Sequence, residues 1–283
     1  MKKKVELYAI RDDGRKFAYN NDDWGLLKLT GADFSAIETF TMPRGTGDGD
    51  LITGQRRKSR EISLETHFRD NKKVAEARRS AIAFHDIKHI YDIHIIYLGV
   101  HRIAKECRIK AASYPTENVN RSKNLVLSFL SSNPDLFGEN AVEEVMIERS
   151  ARWALARYYS DEHKLLYATE TQATDKVIIY EGANPAPIKI EIKAYGYCLN
   201  PTIQVGEISC TISAALKSGD ILIIDSEVAF ATLNNAMVPY AATGNFDMRQ
   251  FRVFNGENRI KIETEQGDAF RTSITYTGRY NGV

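Results

Sequence analysis

Apolar and charged residues alternate with a period of two in many segments of this chain. The clearest segment is 188–194, where isoleucine or alanine occupies every second position and lysine or glutamate the positions between. Because successive side chains of a β-strand point to opposite faces, this pattern indicates a strand with one buried and one solvated face. The same pattern occurs at residues 62–68, 107–111, 125–129 and 260–263. Such strands are typical of antiparallel sheets, so the sequence predicts a mainly β fold.

One segment, residues 71–89, has the composition of a helix instead. It is rich in Ala, Lys, Arg and Glu, and Asp70 or Asn71 is a candidate for its N-cap. The residues that its spacing places on one helical face are Val74, Arg78, Ala81 and His85. A strand pattern at 91–98 follows directly. The first half of the chain is therefore predicted to be an antiparallel β domain with one α-helix packed on a sheet.

A cluster of turn-forming residues at 131–138 marks the predicted boundary between two domains, 1–138 and 139–283. The length of 283 residues fits two domains at roughly 150 residues each. Short strand patterns separated by glycine-containing turns, at 182–185, 219–220, 244–245 and 255–258, indicate a β-sandwich in the second domain. Between 139 and 173 the pattern is mixed, because 151–157 suits a helix while its flanks suit strands.

The charge balance excludes a protein that coats nucleic acid through a basic surface. The chain has 38 Lys and Arg against 37 Asp and Glu, a net charge of +1. Its three cysteines are widely spaced without a CxxC motif, so neither a disulfide framework nor a cysteine-rich zinc site is expected, and synthesis in a reducing cytosol fits. Glu6 interrupts the apolar start after the basic residues 1–4, so no signal peptide is expected, and no stretch approaches the ~18 apolar residues of a membrane span.

No catalytic signature is recognised in the sequence, and we expect no enzyme activity and no cofactor. Five of the six histidines lie between residues 67 and 101: His67, His85, His89, His94 and His101. The i, i+4 spacing of His85 and His89 can place two imidazoles on one helical face and hold zinc, but the HExxH arrangement is absent. We therefore favour histidines at a helix end and on a polar strand face over a metal site.

A glycine-rich loop at 42–50 precedes a basic run at 55–60. The loop resembles a phosphate or calcium loop only superficially, because it lacks the Lys-Ser/Thr of a P-loop and the glutamate of an EF-hand, so a hairpin tip is favoured. The basic run is interpreted either as a solvated strand face or as a surface that contacts a partner.

Three stretches in this order resemble the distal tail proteins of long-tailed phages. The first is the opening half, with the loop MPRGTGDGDLITGQ, the strand REISLETHF, the helix and the segment LVLSFLSSNPDLFG. The second is YEGANPAPIKIEIKAYG, similar to the strand that opens the C-terminal domain of the family. The third is GDILIID followed by FRVFNGENRIKIE. Together they span nearly the whole chain.

This resemblance implies a structural protein of the virion tail tip, made in the cytoplasm of the bacterial host. The N-terminal domain is then expected to form a homohexameric ring, and the C-terminal domain a galectin-like β-sandwich outside it. Family rings join the tail-tube protein to the tail-associated hub protein, often hold receptor-binding proteins, and leave a channel through which DNA passes only as cargo. The residues expected at the subunit contact or the ring lumen are Arg44, Gly45, Gly47, Asp48, Arg56, Arg57, Lys58 and Arg60.

Two other functions remain open at this stage. A carbohydrate-binding β-sandwich that aids host adsorption is the first, because Tyr195, Tyr197 and Tyr240 could stack on sugars, although sheet packing explains them equally well. A metal-dependent hydrolase is the second, and it requires the histidine cluster to bind a metal.

Overall fold

The computed structural model describes residues 5–70, 72–115, 124–151, 168–242 and 247–283. Over these residues the protein is mainly β with large antiparallel sheets and a single α-helix, which confirms the predicted fold class. Two compact units are present: Met1–Glu139 together with Arg279–Val283, and Asn140–Gly278. This division differs from the predicted one at residue 139 and at residues 279–283, which belong to the first unit.

Several sequence-based expectations lie outside the described residues. They concern the basic start at residues 1–4, Asn71 as a helix cap, the helical pattern over 152–157 and the turn at 244–245. Ala151, at the edge of the helical pattern, ends a β-strand. Among the described residues, no helix is both long enough and apolar enough to cross a membrane.

The first unit contains two antiparallel sheets that share one long strand. Its elements are β1 (Val5–Arg11), β2 (Lys16–Ala18), β3 (Trp24–Thr30), β4 (Ile37–Pro43), β5 (Asp50–Arg57), β6 (Arg60–Phe68), α1 (Val74–Phe84), β7 (Tyr91–Tyr97), β8 (Val100–Ser113), β9 (Asn124–Ser131) and the start of β10 (Leu136–Val145). One sheet has the order β2-β1-β7-β8 and the other β3-β6-β9-β8. The shared strand β8 changes partner near Glu106, whose φ of 54° lies in the left-handed region.

Alternation along the strands builds the core of the first unit. In β6 the buried positions are every second residue from Arg60 to Phe68, and Ile62 and Leu64 point into the same core as Leu125, Leu127 and Phe129 of β9. The helix α1 contributes Ala81 and Phe84 to this core. Fully burying one Leu or Ile side chain contributes roughly 1.5–3 kcal/mol, so the two sheets and the helix stabilise each other through this shared apolar face.

The helix is shorter than the predicted range of 71–89. It begins at Val74 after an N-cap position occupied by Lys73, which makes no side-chain cap, whereas the carboxylate of Asp70 accepts a hydrogen bond from the Lys72 amide at 2.8 Å. The helix ends at Phe84, and His85 occupies its C-cap with non-helical backbone angles. The prediction of Asp70 as the cap and of a helix reaching His89 is therefore wrong.

The second unit is a β-sandwich. After β10, its strands are β11 (Ile147–Ala151), β12 (Ala168–Gln172), β13 (Asp175–Tyr180), β14 (Ala186–Ala194), β15 (Cys198–Leu199), β16 (Thr202–Val205), β17 (Ile208–Ile212), β18 (Ala215–Leu216), β19 (Ile221–Asp225), β20 (Phe230–Leu233), β21 (Ala236–Met237), β22 (Tyr240–Ala242), β23 (Arg252–Val253), β24 (Gly256–Glu263) and β25 (Phe270–Tyr280), with a 3-10 helix at Met248–Gln250. One sheet has the order β25-β14-β19-β20-β21, and the other β13-β24-β16-β17-β22.

Both sheets contribute to one apolar core. Ile190 and Ile192 of β14 are fully buried, as are Ile260 and Ile262 of β24 and Ile203 of β16. The strict alternation that the sequence shows at 188–194 and 260–263 is the alternation of these buried positions with exposed or half-buried charged ones. A sandwich of two sheets is thus confirmed, whereas its likeness to galectins stays a prediction.

Candidate interaction surface

The strands β4 and β5 form a hairpin that pairs with no other strand in the described part of the chain. They run antiparallel from the pair Ile37–Arg57 at the base to the pair Pro43–Asp50 near the tip, with a bulge after Phe40. At about 3.3 Å per residue, a seven-residue strand carries the tip roughly 23 Å from the base. A two-stranded hairpin is only marginally stable by itself in water. A hairpin of this length is therefore expected to pack against the surface of a partner.

Apolar side chains occupy both faces of this hairpin. Cross-strand partners share a face, so Met42 lies beside Leu51 on the face that also carries Phe40. Ile37 and Ile52 lie on the opposite face, and Ile52 is 67% exposed. Monomeric proteins rarely leave such apolar groups in contact with water over an entire element. The hairpin is therefore the strongest candidate interaction surface in the first unit.

The tip of the hairpin carries four of the residues that the sequence singles out: Arg44, Gly45, Gly47 and Asp48. All four are exposed. Gly47 has a φ of 100°, a conformation that side-chain-bearing residues rarely adopt, and no atom lies within 4 Å of the place a Cβ would take. The tip is therefore narrow and exposed to solvent, and no side chain of the described residues packs against its glycines.

The base of the hairpin carries Arg56, Arg57 and Lys58. Arg56 Nε donates to Glu38 Oε2 at 2.6 Å, and Lys58 Nζ lies 3.4 Å from Glu38 Oε1, so one carboxylate serves two cations. The hydrogen bond from Arg56 lowers the pKa of Glu38. Arg57 Nη1 donates to Asp135 Oδ1 at 2.6 Å.

Arg60, the fourth member of the basic run, is 1% exposed. Its guanidinium donates to four main-chain carbonyls, which belong to Gly31, Asp33, Pro134 and Asn281. We call this group of five residues the arginine anchor. Because every one of these bonds is internal to the first unit, Arg60 has no exposed surface to offer a partner. This corrects the sequence-based grouping of Arg60 with its exposed neighbours.

A groove of about 780 Å³ opens beside the hairpin base. Its lining includes Phe34, Ser35, Arg56, Lys58 and Leu130. Phe34 is 69% exposed at this groove. The buried Oγ of Ser35 has no hydrogen-bond partner among the described residues, a costly state for a hydroxyl group. The groove is thus lined by exposed cations and an exposed aromatic ring, with a buried hydroxyl group that lacks a hydrogen-bond partner among the described residues.

His85 and His89 do not form the zinc-binding pair that their spacing permits. His85 Nδ1 donates to the Ala81 carbonyl at 2.7 Å, and its Nε2 accepts from the Tyr19 hydroxyl at 2.7 Å. Burial lowers the pKa of His85 to about 4, so the ring is neutral at pH 7. His89 lies beyond the helix with its Nδ1 2.6 Å from Asp12 Oδ1.

Two further histidines of the cluster, His94 and His101, form a pair on the outer side of β7 and β8. His94 Nδ1 and His101 Nε2 are 3.0 Å apart, Tyr8 stacks on His94 at 4.6 Å, and His101 Nδ1 lies 3.1 Å from Glu139. Burial, followed by the neighbouring His101, lowers the pKa of His94 to about 4. Across the described ranges, no three His, Cys, Asp or Glu side chains come close enough together to hold a metal ion.

The tip and the base of the hairpin are predicted from the sequence, but most apolar residues of β4 and those just before it are not. The residues that were not predicted are Phe34, Ser35, Ile37 and Phe40, whereas Met42, Leu51 and Ile52 lie in the loop segment MPRGTGDGDLITGQ. A signal was present, because Glu38, Phe40 and Met42 alternate with threonines at 39 and 41, a pattern that β-branched residues make typical of a strand. The strand pattern was not predicted because the glycine-rich residues that follow it, 42–50, are typical of a loop.

The fold is similar to that of a known phage protein. The crystal structure of the Dit protein of phage SPP1, described as a paradigm of the hub adsorption apparatus in phages that infect Gram-positive bacteria, matches with a TM-score of 0.63. The match covers 96% of this chain and 98% of that chain at 12% sequence identity. The chain has the fold of a Dit protein. The predicted resemblance is therefore confirmed at the level of the fold.

Two further solved structures match with lower TM-scores. The phage P2 baseplate in its activated conformation with Ca matches at a TM-score of 0.47 and 7% identity over 99% of both chains, and the Sr form at 0.45 and 8%. Neither score establishes a common fold, so the fold rests on the SPP1 protein. No protein-family model matches the chain, and no curated protein sequence does. An identity of 12% to a protein of the same fold accords with that result.

Proposed function

We propose that this protein is a structural, non-enzymatic component of a phage tail tip. Six copies form a ring through the first unit, which joins the tail-tube protein to the tail-associated hub protein and holds the receptor-binding proteins. The centre of the ring leaves a channel for DNA as passing cargo. The protein is made in the cytoplasm of the bacterial host and works at the virion tail tip. The Dit fold supports this proposal.

The observation that carries the ring is the exposed β4–β5 hairpin. An unpaired hairpin with apolar residues on both faces is a liability in a monomer unless another chain covers it. In a ring with head-to-tail contacts, each copy buries its hairpin on a different surface of the next copy. A net charge of +1 also suits a channel that DNA passes without being retained.

Light scattering across a concentration series, with negative-stain imaging of the same fractions, tests the ring. The chain mass of 32.0 kDa separates one copy from six clearly. We expect six-fold rings from the wild-type protein and monomers after deletion of residues 45–50. Rings of unchanged mass after that deletion would show that the tip makes no subunit contact.

A point substitution with a matched control sharpens this test. Ile52→Ser removes an apolar side chain that is 67% exposed on the hairpin, and Ile87→Ser removes one that is 75% exposed after the helix. We expect Ile52→Ser to weaken assembly and Ile87→Ser to leave it unchanged. Equal losses from both substitutions would indicate a general loss of solubility and not a contact at the hairpin.

A carbohydrate-binding role for the second unit is the alternative. Tyr195 and Tyr197 are each more than half exposed, so packing in the sheet does not explain them. Aromatic rings in this state can stack on sugars. A glycan screen that finds saturable binding, lost in Tyr195→Ala or Tyr197→Ala, would support this function.

A further inference from the structure

The tip and the base of the β4–β5 hairpin carry opposite charges. Asp48 and Asp50 lie at the tip, where no side chain of the described residues pairs with either carboxylate. Arg56 and Lys58 lie at the base and share the single carboxylate of Glu38. The base therefore has a surplus of positive charge, whereas the tip has a net negative charge because Asp48 and Asp50 outnumber its one cation, Arg44.

The two ends of one hairpin cannot neutralise each other. The paired strands hold the tip roughly 23 Å from the base, well beyond the distance of an ion pair. Any tip that reaches the groove at the base must therefore come from another copy of this chain.

The groove suits such a tip in shape and chemistry. It has a volume of about 780 Å³, and the tip that would enter it has three glycines without neighbouring atoms at their Cβ positions. Arg56 and Lys58, which line the groove, can donate to an entering carboxylate. Phe34, exposed at the same groove, offers an apolar surface to Met42 and Leu51, which flank the tip.

We propose that the acidic tip of one copy docks into the basic groove at the hairpin base of the next copy. This contact rests on the ring proposed above and specifies its geometry: Asp48 and Asp50 of the donor face Arg56 and Lys58 of the acceptor. Because donor and acceptor surfaces differ, each copy gives one tip and receives one tip. Six such contacts close a ring of six copies.

Charge reversal tests this contact. A tip variant, Asp48→Lys with Asp50→Lys, has two positive ends, and a base variant, Arg56→Glu with Lys58→Glu, has two negative ends. We expect each variant alone to require at least about tenfold more protein for half-assembly, because like charges then meet at every contact. Circular dichroism is the check that both variants fold, and Lys72→Glu with Lys73→Glu is the control that reverses two charges outside the hairpin.

Mixing the two variants is the decisive step. A tip variant can donate only to a base variant and a base variant only to a tip variant, so an equal mixture should assemble into rings in which the two alternate. Six is an even number, which allows this alternation to close. Native mass spectrometry with one variant carrying a mass tag should find three copies of each.

The outcomes separate the contact from the ring. If the wild-type protein forms rings and either variant assembles as well as wild type, or if mixing restores nothing, the tip-to-base contact is wrong while the ring stands. If the wild-type protein is monomeric at every concentration, the ring of this chain is overturned and the contact with it. Alternating rings from the mixture support both.

Discussion

Arg56 and Arg60 are four residues apart in one basic run, yet their environments are opposite. Arg56 is 67% exposed as a side chain and pairs across the hairpin with Glu38, whereas Arg60 is buried and donates to four main-chain carbonyls. The difference arises because β5 ends at Arg57 and β6 begins at Arg60, where the alternation of the core sheet points this side chain inward. A run of like charges thus reveals nothing about which members face water.

The two regions in which these arginines lie, the β4–β5 hairpin and the arginine anchor, also differ from each other. The hairpin pairs only within itself among the described residues, while the arginine anchor joins segments that are more than 200 residues apart in sequence. We expect the anchor to govern the stability of the first unit and the hairpin to govern its association with other chains.

Arg60→Met should cause the largest loss of stability. It leaves buried carbonyls without a donor and removes the positive charge near Asp135, a change that costs about 3–5 kcal/mol for buried charged groups. Chemical denaturation measures this loss, and Arg56→Met is the matched control, with an expected change below about 0.5 kcal/mol. Similar losses from both variants would contradict the separation of anchor and hairpin.

His85 is a buried histidine of the first unit, whose contribution to stability depends on pH. Its pKa is about 4 in the folded protein against 6.5 for the ordinary side chain, so the unfolded chain binds a proton first as the pH falls. The stability that the neutral ring contributes is complete above pH 6.5 and is lost as the pH falls to about 4, amounting to roughly 3 kcal/mol. Unfolding free energies of wild type and His85→Gln across this range should converge at low pH. Parallel curves would exclude His85 as the source.

Gly31 and Gly49 form a matched pair, because both have a φ of 84°. A Cβ on Gly31 would lie 1.8 Å from the main-chain oxygen of Glu61, whereas a Cβ on Gly49 would meet nothing within 4 Å. Gly49→Ala should cost about 1 kcal/mol for backbone strain, and Gly31→Ala about 2 kcal/mol more because β6 must shift. Thermal unfolding of both variants measures the difference between their losses of stability. Equal losses would mean that the backbone around Gly31 moves as easily as that of the hairpin tip.

The smallest expected effect on folding is that of Ile52→Ser. Its side chain is mostly in water in the single chain, so the free energy of unfolding should change by less than about 0.5 kcal/mol. Denaturation at a concentration where the protein is monomeric is the measurement. A large loss of stability there would mean that the hairpin supports its own chain, and it would remove the separation between the two regions.

The sequence was sufficient to predict the regular parts of this fold. Alternation identified the strands around Ile62, Ile190 and Ile262, because one buried face imposes a period of two regardless of which strands pair. It did not place the end of the helix, since the hydrogen bond between His85 and the Tyr19 hydroxyl joins residues distant in sequence and forms only in the tertiary structure.

The candidate surface was predictable only in part. The glycines and charges of residues 42–60 indicated a hairpin tip and a basic base, which the structure contains. The burial of Arg60 was not predictable, because the carbonyls that receive its donors belong to residues distant in sequence, Asn281 among them. Nor does the sequence reveal the groove, because Phe34 and Leu130 come together only through the pairing of the sheet.

The arginine anchor also has a consequence for the order of folding during synthesis. Asn281 belongs to the first unit, and its carbonyl closes the anchor, yet the ribosome adds it only after the whole second unit, Asn140–Gly278. The second unit can therefore fold while the first still lacks this bond. The nascent first unit therefore reaches its final stability only near the end of synthesis, even though nearly all of its own residues are made first.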